Sequence, residues 1–178
     1  VHSDASYLPE SKAKSRAGGH FFLSNKLPTQ NGPIFNECSL MKNVLSSAAE
    51  AELGALYINA KSTLFIQHIL EALNHSQPPT PIATDNSTAL GIINKTIKQK
   101  KTKAINMRFY WLQDQVDMNK FNIFWGAGKD NQADYFTKHH PESHHKRMRN
   151  QYLLSATQIN TIDLRGCAKA QFSPSHPD

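Results

Sequence analysis

Four carboxylates stand in short sequence contexts that fit one kind of active site. In chain order they are Asp4, Glu52, Asp85 and Asp134. Because like charges repel, acids gathered at one point need a strong positive charge between them, and hard cations such as Mg²⁺ favour oxygen ligands. Two such ions about 3.5–4 Å apart can activate a water molecule and stabilise the leaving oxygen of a phosphodiester. The order Asp, Glu, Asp, Asp therefore predicts a site for two Mg²⁺ ions, in which Mn²⁺ could replace Mg²⁺.

The second acid of this set has a competitor two residues earlier. The stretch from Ser47 to Glu50 fits a capping box, in which the serine caps a backbone N–H and the glutamate three residues later reaches back. This pattern gives Glu50 a local structural role and leaves Glu52 without one. We therefore favour Glu52 as the ligand and Glu50 as part of the helix cap.

The remaining acids also have structural alternatives. Asp130 suits the N-cap of the last predicted helix, and Asp134, one turn later, would then face inward. Asp85 lies between a strand and a helix, where it could be a ligand, an N-cap or both. Asn86 and Ser87 follow it and could donate hydrogen bonds to a phosphate at the start of the helix, with ordinary capping as the alternative.

The hydrophobic pattern and the turn residues predict the elements that must position these acids. The predicted strands are 1–6, 17–23, 33–40, 82–85 and 121–125, and the predicted helices are 47–73, 86–96, 104–118 and one that begins at Asp130. Residues 7–16 are predicted to form a loop. Asn31-Gly32 is typical of a hairpin turn, and Gly18-Gly19 of a bulge or a close approach of the backbone.

This order of elements favours an α/β fold with one mixed sheet of five strands, of which the first three are antiparallel, flanked by helices. We expect one domain over residues 1–145 and a basic, irregular tail over residues 146–178. Because Asp4 follows only three residues, the first strand is expected to be truncated, in a piece of a longer polypeptide.

The balance of charge favours a polyanionic partner. The formal net charge is +6, and a lysine-rich stretch lies between two predicted helices. Its members are Lys95, Lys98, Lys100, Lys101 and Lys103. Lysines so spaced can neutralise phosphates without reading base sequence, with a solvated helix end as the alternative.

Two further groups of residues have structural interpretations that we prefer. A zinc site is one interpretation of the histidine cluster, which consists of His139, His140, His144 and His145. Zinc sites usually recruit further ligands at characteristic spacings, and none is visible here. A basic surface formed with the neighbouring arginines is the simpler interpretation. Trp111 and Trp125 occupy apolar-periodic positions, which predicts that they are core residues rather than base-stacking platforms.

Cysteine content and hydropathy argue against a disulfide-rich protein and against a membrane-spanning one. Cys38 and Cys167 are far apart and predict free thiols in a reducing, intracellular compartment rather than a disulfide framework or a zinc site. No apolar run approaches the roughly 18 residues that a membrane span needs, and no signal peptide is visible.

The contexts of the four acids resemble the ribonuclease H domain of copia-type (Ty1/copia-like) retrotransposon polyproteins. The matching stretches, in family order, are Ser3–Tyr7, Ser15–Leu23, Val44–Leu53, Thr84–Ala89, Lys103–Tyr110 and Asn131–Lys138. The resemblance implies the ribonuclease H-like fold and hydrolysis of the RNA strand in RNA–DNA hybrids during reverse transcription. It also implies an upstream reverse transcriptase domain as a partner, and a location in the cytoplasm or in retroelement particles.

The same resemblance implies a division of labour among the acids. Asp4 would bridge two Mg²⁺ ions, Asp134 would complete the site of the ion that activates water, and Glu52 with Asp85 would hold the ion that stabilises the departing 3′-oxygen. Many relatives carry a histidine in the loop before the last acid, as a proton shuttle. The loop 126–130 has no histidine, so turnover is expected to differ. A weak or inert fragment that only binds nucleic acid therefore stays open as an alternative.

Overall fold

The computed structural model of the protein describes residues 1–24, 32–95 and 106–153. Its strands are β1 (His2–Glu10), β2 (Lys14–Phe21), β3 (Phe35–Leu40), β4 (Thr80–Thr84) and β5 (Phe121–Trp125). Its α-helices are α1 (Ala48–Ala72), α2 (Ser87–Ile93), α3 (Asn106–Asp117), α4 (Asp134–Thr137) and α5 (Glu142–Tyr152), and a short 3-10 turn covers Gly128–Asp130. Asn31 of the predicted hairpin turn lies outside the described residues. Four members of the lysine-rich stretch also lie outside them: Lys98, Lys100, Lys101 and Lys103.

The five strands form one mixed sheet in the order β3-β2-β1-β4-β5. β1 pairs with β2 and β2 pairs with β3 in antiparallel fashion, whereas β1 pairs with β4 and β4 with β5 in parallel. The predicted fold class, a five-stranded mixed sheet with three antiparallel strands and flanking helices, is confirmed.

The predicted loop over residues 7–16 is wrong. β1 continues to Glu10 and β2 begins at Lys14, so most of this polar segment forms a hairpin with an irregular register between Ser6 and Glu10. Leu8 has a positive φ of 56° within this irregular part. The polar residues extend the strands because they pair across the hairpin, where Arg16 forms a 2.7 Å ion pair with Glu10.

Helix α1 starts where the capping pattern predicts. The Ser47 side chain accepts a hydrogen bond from the Glu50 N–H at 3.2 Å, and the Glu50 carboxylate accepts one from the Ser46 N–H at 2.8 Å. The helix then presents Leu53, Leu56 and its small alanines to the core. The other principal core residues are Ile82, Ile92, Ile93, Phe109, Leu112, Phe121 and Ile123.

Two glycines of β2 let helices approach the sheet from both sides. A Cβ on Gly18 would lie 2.7 Å from the Ala133 carbonyl oxygen at the start of α4, and a Cβ on Gly19 would lie 2.2 Å from the Asn59 side-chain oxygen on α1. Because successive residues of a strand point to opposite faces, α4 and α1 cover opposite faces of β2. The predicted close approach at Gly18-Gly19 is confirmed.

Two other predictions near the end of the first domain are corrected. Asp130 does not begin or cap a helix; it ends the 3-10 turn, and α4 starts only at Asp134. Trp125 is not a core residue, because β5 is an edge strand and the Trp125 side chain is 55% exposed. Trp111 does pack beside the core, with its ring edge-on to Tyr57.

The chain divides into two compact units, 1–140 and 141–178, and the boundary at residue 145 stays a prediction. In the described part of the second unit, α5 carries a 2.6 Å ion pair between Lys146 and Glu142, one turn apart. None of the helices in the described parts of the chain is long and apolar enough to cross a membrane.

Candidate metal centre

The parallel register of two central strands brings the first two aspartates together. His2 of β1 lies beside Ala83 of β4, and each strand continues in the same direction. Asp4 is two residues beyond His2, and Asp85 is two residues beyond Ala83. Strand pairing alone therefore places Asp4 next to Asp85, at the carboxyl end of β4.

Glu52 joins them from the first turns of α1. Its Oε1 atom accepts a hydrogen bond from the Ala5 N–H at 3.2 Å, which ties the glutamate to the residue after Asp4. Its Oε2 atom is buried and has no hydrogen-bond partner among the described residues. A buried carboxylate oxygen without a partner is costly unless a cation or a proton compensates it.

Asp4, Glu52 and Asp85 form a cluster. Each contributes one carboxylate oxygen, and these three oxygens lie within 4.8 Å of one another. Asp4 and Glu52 are almost completely buried, and Asp85 is half-buried. Burial, reinforced by the charges of Asp4 and Asp85, raises the pKa of Glu52 to about 9. Burial also raises the pKa of Asp4 to about 6, although the Thr137 hydrogen bond and the Lys138 charge act in the opposite direction.

The donor set fits a divalent cation. It consists of hard carboxylate oxygens in a buried, mutually repelling group, and it includes the unpartnered Oε2 atom of Glu52. Bound cations would compensate the buried charge and neutralise the mutual repulsion, which together raise the pKa values of Asp4 and Glu52. The geometry of these three acids is therefore compatible with a bound metal ion.

Asp134 occupies a different position from the other three predicted ligands. It begins α4 close enough for its charge to raise the pKa of Asp4, yet it is not part of the three-acid cluster found among the described residues. Its carboxylate is hydrogen-bonded and ion-paired to Lys138, one turn later. The hydroxyl of Thr137, on the same turn, donates a hydrogen bond to Asp4.

Side chains outside the predicted set hold α4 against the sheet. The Asn131 amide donates to the Ser3 carbonyl oxygen at 2.9 Å, and its Oδ1 atom accepts from the Ala133 N–H at 3.1 Å. The His2 Nδ1 atom accepts from the Gln132 N–H at 3.0 Å. Burial lowers the pKa of His2 to about 4, so the ring is neutral and can accept at pH 7.

Asn59 supports β1 from the other face of the sheet. Its side-chain amide donates to the Ser3 hydroxyl and to the Gly18 carbonyl oxygen, both at 2.8 Å. Sequence reasoning missed Asn59 because it sits mid-helix without a motif. Asn131, Thr137 and Lys138 lie inside a matched stretch of the resemblance, which was the available signal for them.

The capping alternative for Asp85 is resolved. Asn86 is the N-cap of α2, because its Oδ1 atom accepts from the Ala89 N–H at 2.9 Å. The Asp85 carbonyl oxygen accepts from the Trp125 indole N–H at 3.1 Å, which anchors its backbone. Its carboxylate lies against Gly128, where an added Cβ would come within 2.7 Å of Oδ2.

The predicted nucleic-acid-binding residues are only partly described. Asn86 caps α2 and Ser87 begins it, and neither role tests phosphate binding. Lys95 forms an exposed 2.7 Å ion pair with Asp117. Lys98, Lys100, Lys101 and Lys103 lie outside the described residues.

The histidine-rich run forms no group of three or more close metal-ligating side chains within the described ranges. His140 stacks on Tyr135, and its Nε2 atom lies 3.2 Å from the Asp134 carbonyl oxygen. In the second unit, His144 lies 2.7 Å from Arg147. Cys38 is an exposed free thiol, whereas Cys167 lies outside the described residues.

Comparison with curated proteins relates most of the chain to retroelement polyproteins. The chain is 23% identical over 137 residues to the retrovirus-related Pol polyprotein from transposon TNT 1-94 of Nicotiana tabacum. This alignment covers 77% of this chain and 10% of that protein. The chain is 26% identical over 152 residues to the transposon Ty1-NL2 Gag-Pol polyprotein of Saccharomyces cerevisiae, covering 85% of this chain and 8% of that protein. The chain thus spans about a tenth of the length of these relatives.

Comparison with solved structures identifies the fold. LC11-RNase H1 in complex with an RNA/DNA hybrid aligns with a TM-score of 0.58 at 9% identity, over 76% of this chain and 91% of that one. The N-terminal RNase H domain of rv2228c from Mycobacterium tuberculosis aligns with a TM-score of 0.54 at 10% identity, over 76% of this chain and 88% of that one. No protein-family model matches the chain. The chain is therefore a distant homologue of Ty1/copia Gag-Pol polyproteins over most of its length, and it has the ribonuclease H-like fold.

Proposed function

We propose that this protein hydrolyses the RNA strand of RNA–DNA hybrids endonucleolytically, with two divalent cations, as a step in retrotransposon reverse transcription. The observation that supports this function most directly is the cluster of Asp4, Glu52 and Asp85, with oxygens within 4.8 Å of one another. The cluster belongs to a ribonuclease H-like fold in a homologue of retroelement polyproteins.

In this proposal Asp4, Glu52 and Asp85 hold the cations, and Asp134 contributes from α4. Bound Mg²⁺ ions supply the positive charge that activates water and stabilises the departing 3′-oxygen. The chain contributes preorganisation. Thr137 orients Asp4, and the Ala5 N–H orients Glu52, so these two ligands are fixed before substrate arrives.

Charge and homology support the proposed substrate and partner. A net charge of +6 suits a polyanion, and a hybrid duplex would be recognised through its shape, its phosphates and the 2′-hydroxyl groups of the RNA. The predicted lysine stretch and the start of α2, at Asn86 and Ser87, are the proposed phosphate contacts. An upstream reverse transcriptase domain of the same polyprotein, inside the cell, is the proposed partner.

The decisive experiment compares Asp85→Asn with the wild-type protein on a labelled hybrid in Mg²⁺. Asp85 is half-buried and caps no helix, so the amide should leave the fold intact and abolish cleavage. The wild-type products should carry 3′-hydroxyl and 5′-phosphate ends, and EDTA should stop the reaction. Asp114→Asn, an exposed acid on α3, is the matched control and should cleave normally.

Controls with other substrates test the specificity. Single-stranded RNA and duplex DNA should remain uncut under the same conditions. Full activity in Asp85→Asn would remove Asp85 from the site, and Mg²⁺-independent cleavage by the wild type would contradict the mechanism.

A second candidate is a catalytically weak domain that only binds nucleic acid. The ion pair between Asp134 and Lys138, and a loop over residues 126–130 without a histidine, favour this alternative. Hybrid binding by the wild type without any cleavage in Mg²⁺ or Mn²⁺ would establish it.

A further inference from the structure

The fourth acid of the candidate metal centre is paired with a lysine on its own helical turn. The Lys138 ammonium binds the Asp134 carboxylate, and the two side chains are 49% and 26% exposed. The other described lysine–carboxylate pairs are more exposed: 57% and 61% for Lys95 with Asp117, and 74% and 80% for Lys146 with Glu142. The Lys138–Asp134 pair is therefore the least solvated of the three.

The charge of Lys138 also acts on the three clustered acids. It interacts electrostatically with Asp4, Glu52 and Asp85 as well as with Asp134. A lysine placed in this way occupies the electrostatic role that a divalent cation would take at the same carboxylates. Lysine and cation must then repel each other and compete for Asp134.

We propose that Lys138 is an internal counter-ion of the candidate metal centre, which holds Asp134 out of the ligand set and weakens the binding of divalent cations. Asp134 can offer both of its carboxylate oxygens to a cation only when its bond to Lys138 is broken. Lys138 is thus a positioning residue that acts through Asp134. This inference rests on the proposed metal-dependent function.

The prediction is that removing the charge tightens cation binding. Lys138→Met keeps the length and the apolar stem of the side chain, and it should bind Mn²⁺ about five-fold more tightly or better than the wild type. Lys138→Arg keeps the charge and should bind Mn²⁺ as the wild type does. Lys146→Met removes the same charge from an equally spaced pair in the second unit and should have no effect.

The full chain is titrated with Mn²⁺ at fixed pH and ionic strength, in the absence of nucleic acid. Electron paramagnetic resonance measures the concentration of free Mn²⁺. Circular dichroism of each variant confirms that it is folded. If the wild type and every variant fail to bind Mn²⁺, the proposed metal-dependent function fails. If the wild type binds, but Lys138→Met binds equally or less tightly, the counter-ion inference alone is overturned.

A double-mutant cycle tests whether Lys138 acts through Asp134. In an Asp134→Asn background, Lys138→Met should tighten Mn²⁺ binding by a smaller factor than in the wild type, because the pair is already broken. An equal factor in both backgrounds would overturn the claim that Lys138 acts by holding Asp134.

Discussion

The backbone N–H of Ala5 donates a hydrogen bond to the Glu52 carboxylate at 3.2 Å, which fixes a side chain of α1 beside Asp4 on β1. One glutamate oxygen is thereby used for positioning, and the other is buried without a hydrogen-bond partner among the described residues. Glu52 and Glu50 consequently differ in role although they are two residues apart.

Substitution of these two glutamates should separate helix capping from metal binding. Glu50→Gln weakens the bond to the Ser46 N–H and should cost about 0.5–1 kcal/mol of stability, with cleavage of the hybrid retained. Glu52→Gln keeps an acceptor for Ala5 but removes a charged ligand, so it should lose Mg²⁺-dependent cleavage. Chemical denaturation and a cleavage assay on both variants provide the measurement. Retained cleavage in Glu52→Gln would contradict the assignment.

The raised pKa of Glu52 should make the metal-free protein less stable as the pH rises. Its pKa is about 9 in the folded protein and 4.5 ordinarily, so between these values the folded state holds a proton that the unfolded state has released. Stability that is present below about pH 4.5 is then lost as the pH approaches 9, at up to about 1.4 kcal/mol per pH unit.

Thermal unfolding in EDTA between pH 7 and pH 9 checks this linkage. The wild type should lose stability relative to Glu52→Gln across that range, because the amide does not titrate. Added Mn²⁺ should stabilise the wild type more at pH 9 than at pH 7, since the cation binds the deprotonated carboxylate. Parallel pH profiles of the two proteins in EDTA would show that Glu52 is already ionised at pH 7.

The two glycines of the loop after β5 provide a matched pair of substitutions. Gly128→Ala places a Cβ 2.7 Å from the Asp85 carboxylate, and the side chain can rotate away at little cost in stability. We expect weaker Mn²⁺ binding and slower cleavage with a nearly unchanged melting temperature. Gly126→Ala meets only the Ala83 Cβ at 3.4 Å and should resemble the wild type in all three measurements. Equal behaviour of the two variants would mean that the orientation of Asp85 does not limit the reaction.

Replacing Lys98, Lys100 and Lys101 together with alanine should weaken hybrid binding and flatten its dependence on salt. If each lysine neutralises one phosphate, the slope of log K against log salt should fall by about two to three. Lys120→Ala is the control, since Lys120 is an exposed lysine that directly precedes β5 and lies outside the proposed contacts. An unchanged slope in the triple variant would place the binding groove elsewhere.

Local patterns predicted most of the elements, and they placed Asp4 in a strand and Asp85 between a strand and a helix. Ser47 and Glu50 lie within one turn, so their capping interaction could be predicted from neighbouring residues alone, and it left Glu52 without a capping role. The proximity of Asp4 and Asp85 depends on the register of β1 against β4, which involves residues about 80 positions apart. The resemblance to a known family, rather than periodicity, supplied that information.

The failed predictions concern tertiary surroundings. The alternation of residues in β5 shows that Trp125 shares a face with Phe121 and Ile123. It does not show that only the first part of this edge strand is buried and that Trp125 is exposed. Asp130 has the residue type of an N-cap, yet the backbone after it first forms a turn held by Asn131. The pairing of Asp134 with Lys138 was not predicted, because i,i+4 pairs are usually solvent-exposed and carry little weight.

The hydrogen bond from Thr137 to Asp4 joins residues 133 positions apart. A chain still being synthesised cannot complete this centre until nearly all of residues 1–140 have left the ribosome. Prematurely terminated products that lack α4 would therefore carry the repelling acids without the turn that organises them, and the proposed cleavage would require that α4 has folded.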